Sequence, residues 1–327
     1  MSFPLFPEQA STTAGRVDHL YLALTALSVF VLALVFVPML FFLFKYRQGT
    51  KADRSPMRIS TMRVEVTWTV IPLLLAMGIF VWGAHAYYDL EVPPADAVEI
   101  NVVAKQWMWK VQHQEGNREI NELHLPVGQA VKLTLASEDV IHSFFIPAFR
   151  VKQDVVPGRF VTEWFRPTRV GQYHLFCSQY CGTDHSRMTG TVYVMTPAEY
   201  QDWLARGSLG NTLAQSGGRL FRTLGCSGCH EGNGPVRAPR LEGLYGKLVP
   251  LQGKQIVRAD DKYLRDSILL PASQITAGYE PLMPTFQGHI TEEELFQLIA
   301  YIKSLANQSP VRVRPPNAGE NGKGESP

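Results

Sequence analysis

Four soft or borderline metal-ligand side chains lie within one short stretch of this chain, from Cys177 to Met188. The stretch reads Cys-Ser-Gln-Tyr-Cys-Gly-Thr-Asp-His-Ser-Arg-Met and contains two thiols, an imidazole and a thioether. Sulfur ligands are soft and imidazole nitrogen is borderline, a combination that suits copper better than any hard cation. The C-x3-C spacing also allows a disulfide or a tetrahedral zinc site, so these alternatives stay open at this point.

Two further residues favour copper. Met188 follows His185 by three positions, and a weak axial thioether is typical of copper sites but not of zinc sites. Upstream, His142 lies in the apolar run Val-Ile-His-Ser-Phe-Phe-Ile-Pro, where a neutral imidazole can be held, although a lone histidine there is also typical of core packing. A mononuclear copper site needs one cysteine, so the second thiolate indicates a second metal ion that both sulfurs bridge.

These motifs resemble the dicopper (CuA) domain of cytochrome c oxidase subunit II. The resemblance rests on His142-Ser143, on the Asp-x-x-Pro-Gly-Arg segment that begins at Asp154, and on C-S-x-Y-C-G-x-x-H-x-x-M. It implies an all-β, cupredoxin-like Greek-key domain that binds dinuclear copper. The implied ligands are the bridging thiolates of Cys177 and Cys181, the imidazoles of His142 and His185, the thioether of Met188 and the backbone carbonyl of Gln179.

Gln179 departs from the family pattern, which usually has Glu at this position. The family's Glu binds one copper through its backbone carbonyl and helps hold a magnesium ion through its carboxylate. Gln keeps the carbonyl, but its neutral amide is a weaker ligand for a hard divalent cation. We therefore expect an intact dicopper centre beside a magnesium site that is lost or held by the partner subunit alone.

A second redox motif, Cys226-Ser-Gly-Cys229-His230, has the C-x-x-C-H spacing of c-type haem attachment. In this motif the two thiols add to the haem vinyl groups and the histidine binds the iron. All four cysteines of the chain thus lie in metal or haem motifs, and we expect no disulfide. The region resembles class I cytochrome c, an all-α fold, in which a Met-Pro loop supplies the sixth ligand. Met283 before Pro284 is the predicted ligand, and His289 is the alternative.

Two uncharged stretches, 20–44 and 66–88, are long enough to cross a bilayer as helices. The segment between them is rich in basic residues, which stay on the cytoplasmic side of a membrane. We therefore expect a two-pass protein of the bacterial plasma membrane with both termini and both redox domains outside. The basic residues are Lys45, Arg47, Lys51, Arg54, Arg58 and Arg63, against the single acidic Asp53.

Glu65 and Trp107 each have a structural and a functional interpretation. A carboxylate at the start of a helix is favoured by the helix dipole, but the resemblance implies that Glu65 lies at the mouth of a proton path into subunit I. Trp107, in Gln-Trp-Met-Trp, is typical of strand packing. The resemblance implies that it is the residue at which electrons reach the copper centre.

Alternating apolar residues from Val98 onwards predict short strands separated by Gly, Pro and Asn turn signals. Later, Thr291 and Glu294 form a predicted capping box before a helix that should pack on the one around Gly218. The predicted organisation is an extracytoplasmic N-terminus 1–16, a transmembrane hairpin 17–95, a cupredoxin-like domain 96–196, a linker 197–211, a cytochrome c domain 212–308 and a disordered tail 309–327.

The composition agrees with a membrane-associated protein, since 46% of the 327 residues are hydrophobic and 18% are charged. We find no nucleotide-binding loop and no catalytic triad, and we expect no nucleic-acid partner. The resemblance to subunit II with a fused cytochrome c, as in caa-type oxidases, implies an electron-entry subunit. Its expected partners are oxidase subunits I and III, membrane lipid, and an external donor, either cytochrome c or a quinol-oxidising complex. The alternative is the similar subunit of a CuA-containing nitric oxide reductase.

Overall fold

The computed structural model describes residues 6–55, 61–207, 211–231 and 238–307. The chain divides into two compact units, Met1–His113 with Asn117–Gly207, and Gln114–Gly116 with Ser208–Pro327. The predicted tail 309–327 and the basic residue Arg58 lie outside the described residues.

Two long helices open the chain, α1 at Thr12–Lys45 and α2 at Thr61–Glu91. Both are long and apolar enough to cross a membrane, and the side chains of α2 are all at least partly exposed. The prediction of two membrane-spanning helices is confirmed. Each helix extends beyond its uncharged stretch, because an α-helix satisfies its own backbone hydrogen bonds and can continue past the hydrocarbon.

The outer end of α1 packs on the domain that follows. Asp18 of α1 accepts two hydrogen bonds from Arg150, at 2.8 Å to Oδ1 and 2.9 Å to Oδ2. Ser11 caps α1 and donates to the carbonyl of Phe149 at 2.8 Å. Polar contacts, as well as the covalent chain, therefore join the helical hairpin to the domain that follows it.

The first unit contains a sandwich of two five-stranded sheets, with strand orders β3-β2-β1-β5-β8 and β4-β10-β9-β6-β7. β1 pairs in parallel with β5, and β4 with β10, so the chain crosses between the sheets as well as forming hairpins. This confirms the predicted cupredoxin-like domain. The strands are β1 Val98–Lys105, β2 Met108–His113, β3 Arg118–Ile120, β4 Glu122–Pro126, β5 Val131–Ser137, β6 His142–Ile146, β7 Val151–Val155, β8 Val161–Phe165, β9 Gly171–Cys177 and β10 Thr189–Met195.

Buried residues that alternate with exposed ones along the strands form the core. In β9 the buried residues are Tyr173, Leu175 and Cys177, with exposed residues between them. Successive side chains of a strand point to opposite faces, so Cys177 is the last inward residue of this strand. The apolar core of the sandwich includes Cys177, Cys181 and Met188.

Helix α3, Pro197–Gly207, follows β10 and packs on β4. Tyr200 and Leu204 are its buried residues, and the side chain of Asn117 donates to the carbonyl of Leu204 at 3.2 Å. This helix lies within the predicted linker 197–211 and groups with the first unit.

The second unit is mainly helical and matches the predicted class. Gly217 of α4 lies so close to α7 that a Cβ there would be 1.8 Å from the carbonyl oxygen of Gln297. The predicted capping box of Thr291 and Glu294 is present at the start of α7. The elements are α4 Leu213–Thr223, α5 Ser227–His230, β11 Leu248–Pro250, β12 Ile256–Arg258, α6 Asp261–Leu269 and α7 Glu292–Ser304.

Glu163 of β8 is a buried carboxyl group, 9% exposed. Burial raises its pKa from 4.5 to about 7, and the charge of Glu91 adds to the effect. Between these two pH values the unfolded chain loses a proton that the folded chain keeps. The free energy of unfolding therefore falls as pH rises through this window and is level above it.

We predict that Glu163→Gln removes this part of the pH dependence, because the amide stays neutral in both states. At pH 8 the variant should be more stable than the wild type by about 3 kcal/mol, since one pKa unit corresponds to about 1.4 kcal/mol. At pH 4 the two should unfold alike. Thermal unfolding of the detergent-solubilised chain between pH 4 and pH 8 measures the difference, and an equal difference at both ends contradicts the prediction.

Candidate metal centres

Two buried thiols form the centre of the first candidate site. Cys177 ends β9 and Cys181 lies in the loop that follows, and their Sγ atoms are 3.7 Å apart. Both cysteines are free thiols. The carbonyl oxygen of Gln179 lies 3.2 Å from Cys177 Sγ, while the Gln179 side chain belongs to an exposed residue. The loop thus directs a backbone oxygen, and not the amide, towards the sulfur.

The remaining predicted ligands surround this pair. His142 Nδ1 lies 3.9 Å from Cys177 Sγ, and His185 Nδ1 lies 3.4 Å from Cys181 Sγ. Met188 is fully buried, with its Sδ 3.7 Å from Cys181 Sγ. All six sequence-predicted positions therefore meet in one place. We call these six residues the cysteine cluster.

The imidazole of His142 is fixed by contacts of its Nε2 atom and of its ring. Its Nε2 lies 2.8 Å from Asp139 Oδ1, and its ring packs edge-on against Trp109 at 6.1 Å between centroids. An Nε2–H bond to the carboxylate leaves Nδ1 as the lone-pair nitrogen that faces the sulfur. A carboxylate behind a ligand histidine fixes its tautomer and raises its basicity.

The two thiols differ in acidity. Burial opposes ionisation of Cys177, but hydrogen bonds with His142 and with backbone groups lower its pKa to about 6. Burial and the neighbouring Cys177 raise the pKa of Cys181 to about 12. One thiolate therefore forms readily at neutral pH, and the second requires a cation in place of its proton.

This donor set fits dinuclear copper. Sulfur and imidazole donors suit copper, and a buried thioether is not a ligand that zinc uses. Two thiols 3.7 Å apart are close enough to share metal ions, and the cluster adjoins an apolar core. The disulfide alternative does not describe the structure, in which the sulfurs are not bonded.

Gln106 and Trp107 contact the cysteine loop from the β1–β2 turn. Gln106 Nε2 donates to the carbonyl of Cys181 at 2.8 Å, and Trp107 Nε1 donates to the same oxygen at 3.3 Å. A Cβ at Gly182 would lie 2.9 Å from Gln106 Nε2, so a glycine is required for this close approach. Trp107 is thus half-buried beside the cluster.

The second candidate site is a cleft in the second unit, formed by two adjoining cavities. Cys226 and His230 line both cavities. His230 Nδ1 lies 2.8 Å from the carbonyl oxygen of Pro239, so an Nδ1–H bond leaves Nε2 free for iron. A largely apolar cleft with a thiol and an oriented imidazole fits a haem.

Met283 lines both cavities together with His230, whereas His289 lines neither. Of the two predicted alternatives, Met283 is therefore the one that shares its cavities with His230. Cys229, the other predicted attachment residue, is exposed and lines one of the two cavities.

Glu65 lies on an exposed part of α2. Its backbone carbonyl accepts from Thr69 Oγ1 at 2.8 Å, and within the described residues of the first unit its carboxylate makes no contact with the cysteine cluster.

Sequence reasoning missed Asp139 and the side chain of Gln106. Both act through contacts with residues distant in sequence or across a turn, and neither belongs to a metal-ligand pattern. The only local signal was a carboxylate three positions before His142.

Three protein-family models match the chain. "Cytochrome C oxidase subunit II, transmembrane domain" matches residues 2–83, and "Cytochrome C oxidase subunit II, periplasmic domain" matches residues 115–195. "Cytochrome c" matches residues 214–306.

Similar proteins in other organisms are also named as subunit 2 of cytochrome c oxidase. Cytochrome c oxidase subunit 2 of Alkalihalophilus pseudofirmus is 30% identical over 298 residues, which cover 85% of each chain. The alternative cytochrome c oxidase subunit 2 of Bradyrhizobium diazoefficiens is 30% identical over 54% of this chain and 74% of that protein. The crystal structure of the periplasmic domain of subunit II of cytochrome oxidase from Bradyrhizobium japonicum is 28% identical, covers 36% of this chain and 96% of its own, and has a TM-score of 0.34.

Two apolar helices, a cupredoxin-like sandwich with a buried dithiol cluster and a helical cytochrome c region define a membrane-anchored redox protein. The chain belongs to the cytochrome c oxidase subunit II family, and it carries a cytochrome c domain after the periplasmic domain.

We predict that Asp139→Asn weakens copper binding about 10–100-fold, because the neutral amide no longer supports the basicity of His142. Chelator competition on the purified chain measures the affinity. Glu138→Gln is the matched control, since Glu138 pairs with Lys105 and Lys110 at 3.0 and 3.3 Å instead of with a ligand. Equal copper affinities for the two variants would contradict a supporting role for Asp139.

Proposed function

We propose that this chain is the electron-entry subunit of a terminal cytochrome c oxidase. In this role, electrons from an external donor pass through haem c and then a dicopper CuA centre to subunit I, where oxygen is reduced. The observation that carries the proposal is the meeting of two thiols, two imidazoles and a thioether in one buried cluster. Membership of the subunit II family supports the oxidase over a nitric oxide reductase.

Dinuclear copper would be held by the thiolates of Cys177 and Cys181, by His142 and His185, and by further donors from the loop. When bound, it supplies one-electron transfer. The chain's part is to keep the donors in place and away from water. Cys177, Cys181 and Met188 are all buried, at 7%, 3% and 0% exposure. The further donors are Met188 and the carbonyl of Gln179.

Haem c would be attached through Cys226 and Cys229, and His230 and Met283 would bind its iron. When bound, it supplies a second one-electron centre, and His/Met ligation gives it a raised potential. The carbonyl of Pro239 keeps His230 oriented. The apolar lining of the cleft excludes water from the haem edge.

Trp107 is the proposed entry residue for electrons that reach copper. Its indole donates to the carbonyl of Cys181, which provides a direct contact between a half-buried ring and the backbone of a cysteine that would hold the copper. This contact supports a role in electron transfer as well as in packing.

The proposed setting is the bacterial plasma membrane, with lipid around α1 and α2. The basic segment between the helices supports a cytoplasmic loop, and both redox domains then lie outside. Subunit I would cover part of the exposed helices, subunit III would belong to the same assembly, and Glu65 would lie at the mouth of a proton path into subunit I. The external donor would be cytochrome c or a quinol-oxidising complex.

We predict that Met283→Ala keeps the haem covalently attached but lowers its reduction potential and opens the iron to carbon monoxide. The loss of a thioether ligand removes the donor that raises the potential. Redox titration and carbon monoxide difference spectra of the purified chain measure both effects. His289→Ala is the control and should behave as wild type; the reverse pattern would assign the ligand to His289.

We predict that the double change Cys226→Ala/Cys229→Ala stops reduction of copper by the natural donor while the copper centre still assembles. The cysteine cluster lies in a separate compact unit, so its ligands are unaffected. A small chemical reductant should still reduce the copper. Stopped-flow absorbance of the assembled oxidase follows both reactions. A normal rate with the natural donor would make Trp107 the direct entry point and the haem a side branch.

A further inference from the structure

A second cluster of metal-ligand side chains lies on β3 and β4, apart from the cysteine cluster. Ligand atoms of Glu119, Glu122 and His124 all lie within 4.8 Å of one another. We propose that these three side chains bind one divalent cation of borderline softness, for which Zn²⁺ is the best-matched ion. We call them the β3–β4 site.

The imidazole of His124 is fixed on both faces. It stacks on Tyr193 at 4.6 Å and on Trp203 at 4.5 Å between ring centroids, with interplanar angles of 14° and 13°. A ring packed between two aromatic planes cannot rotate out of its plane and away from Glu119. Its Nδ1 consequently stays directed at the carboxylate of Glu119.

Glu119 is held by a second histidine. His113 Nε2 lies 2.7 Å from Glu119 Oε1, and His113 Nδ1 lies 3.1 Å from the hydroxyl of Tyr200. If the hydroxyl donates to Nδ1, the Nε2–H donates to the carboxylate. This is the kind of outer support that orients ligands at metal sites.

Charge in the β3–β4 site favours a cation. Burial by itself would raise the pKa of Glu119, but hydrogen bonds with His113 and His124 lower it to about 2. Its carboxylate is therefore ionised at neutral pH. Glu122 adds a second, exposed carboxylate that makes no hydrogen bond or ion pair within the part of the chain that the structure describes.

The donor types select the ion. One imidazole nitrogen and two carboxylate oxygens, with water in the fourth position, match a tetrahedral zinc site that is open on one side. Mg²⁺ and Ca²⁺ prefer oxygen ligands throughout, and Cu(I) prefers sulfur. The exposed side of Glu122 gives the ion its entry path.

Binding replaces the proton at His124 Nδ1 with the metal. In a neutral imidazole the Nδ1 proton leaves to solvent and a proton is taken up at Nε2, so that the Nδ1 lone pair bonds to Zn²⁺. Glu119 keeps one oxygen on His113 and turns the other to the metal. No net proton is released for each ion bound, and no electron is transferred.

The test uses the full chain in detergent with its copper and haem loaded, so that the cysteine cluster is occupied. Zn²⁺ is titrated in competition with a chromophoric chelator, and the Zn K-edge spectrum reports the ligand atoms. We expect one Zn²⁺ per chain bound through nitrogen and oxygen without sulfur. Glu122→Gln should weaken binding at least about tenfold, and His113→Gln about 10–100-fold through loss of outer support.

Asp202→Asn is the matched control, because Asp202 is an exposed carboxylate on α3 next to Trp203 but lies outside the site. It should leave the affinity unchanged. Sulfur in the zinc spectrum, equal affinities for Glu122→Gln and Asp202→Asn, or no zinc bound at micromolar concentration would each overturn the proposal. Glu122 is exposed, so its substitution should not disturb folding, and a failed fold cannot account for the result.

Discussion

The antiparallel pairing of β6 with β9 is the constraint on which the cysteine cluster depends. The register places Phe144 opposite Cys177, and this brings His142, at the start of β6, beside the sulfur at the end of β9. Ser178 N donates to Ser143 O at 3.0 Å just beyond the paired residues. A slip of one residue would turn Cys177 to the other face of the sheet, because side chains alternate with period two.

The loop after β9 is closed by its own backbone and by neighbours. Cys177 N donates to Met188 O at 3.1 Å, which joins the two ends of the ligand segment. Gln106 and Trp107 bind the carbonyl of Cys181 from another strand turn. Ligands held this firmly change position little when a metal gains or loses an electron, as an electron carrier requires.

In the second unit, helices position the residues around the cleft. Close packing of α4 on α7, which Gly217 permits, and the ring contact of Phe221 with Tyr301 at 5.2 Å frame one side of the cleft. His230 then takes its direction from a backbone carbonyl. In both units a predicted ligand histidine is oriented by an oxygen bound to its other ring nitrogen, a carboxylate in one and a carbonyl in the other.

Much of this protein can be predicted from local patterns. The membrane helices, the strands, the capping box of α7 and the ligand motifs all depend on residues close together in the chain. The grouping of α3 with the first unit and the contact of Gln106 with Cys181 could not be predicted, because each depends on contacts between distant segments. The same is true of the network of Glu119 with His113 and His124, which forms when β2, β3 and β4 meet.

The sequence by itself determined the kinds of donor atom, since ligand chemistry belongs to residue types and their spacing. Only the tertiary structure decided which of those atoms face each other. His142 and Cys177 lie far apart in the chain, and their Nδ1 and Sγ atoms are 3.9 Å apart in the fold. Strand register and burial set that distance and the acidity of the thiols, and both are properties of the whole packed domain.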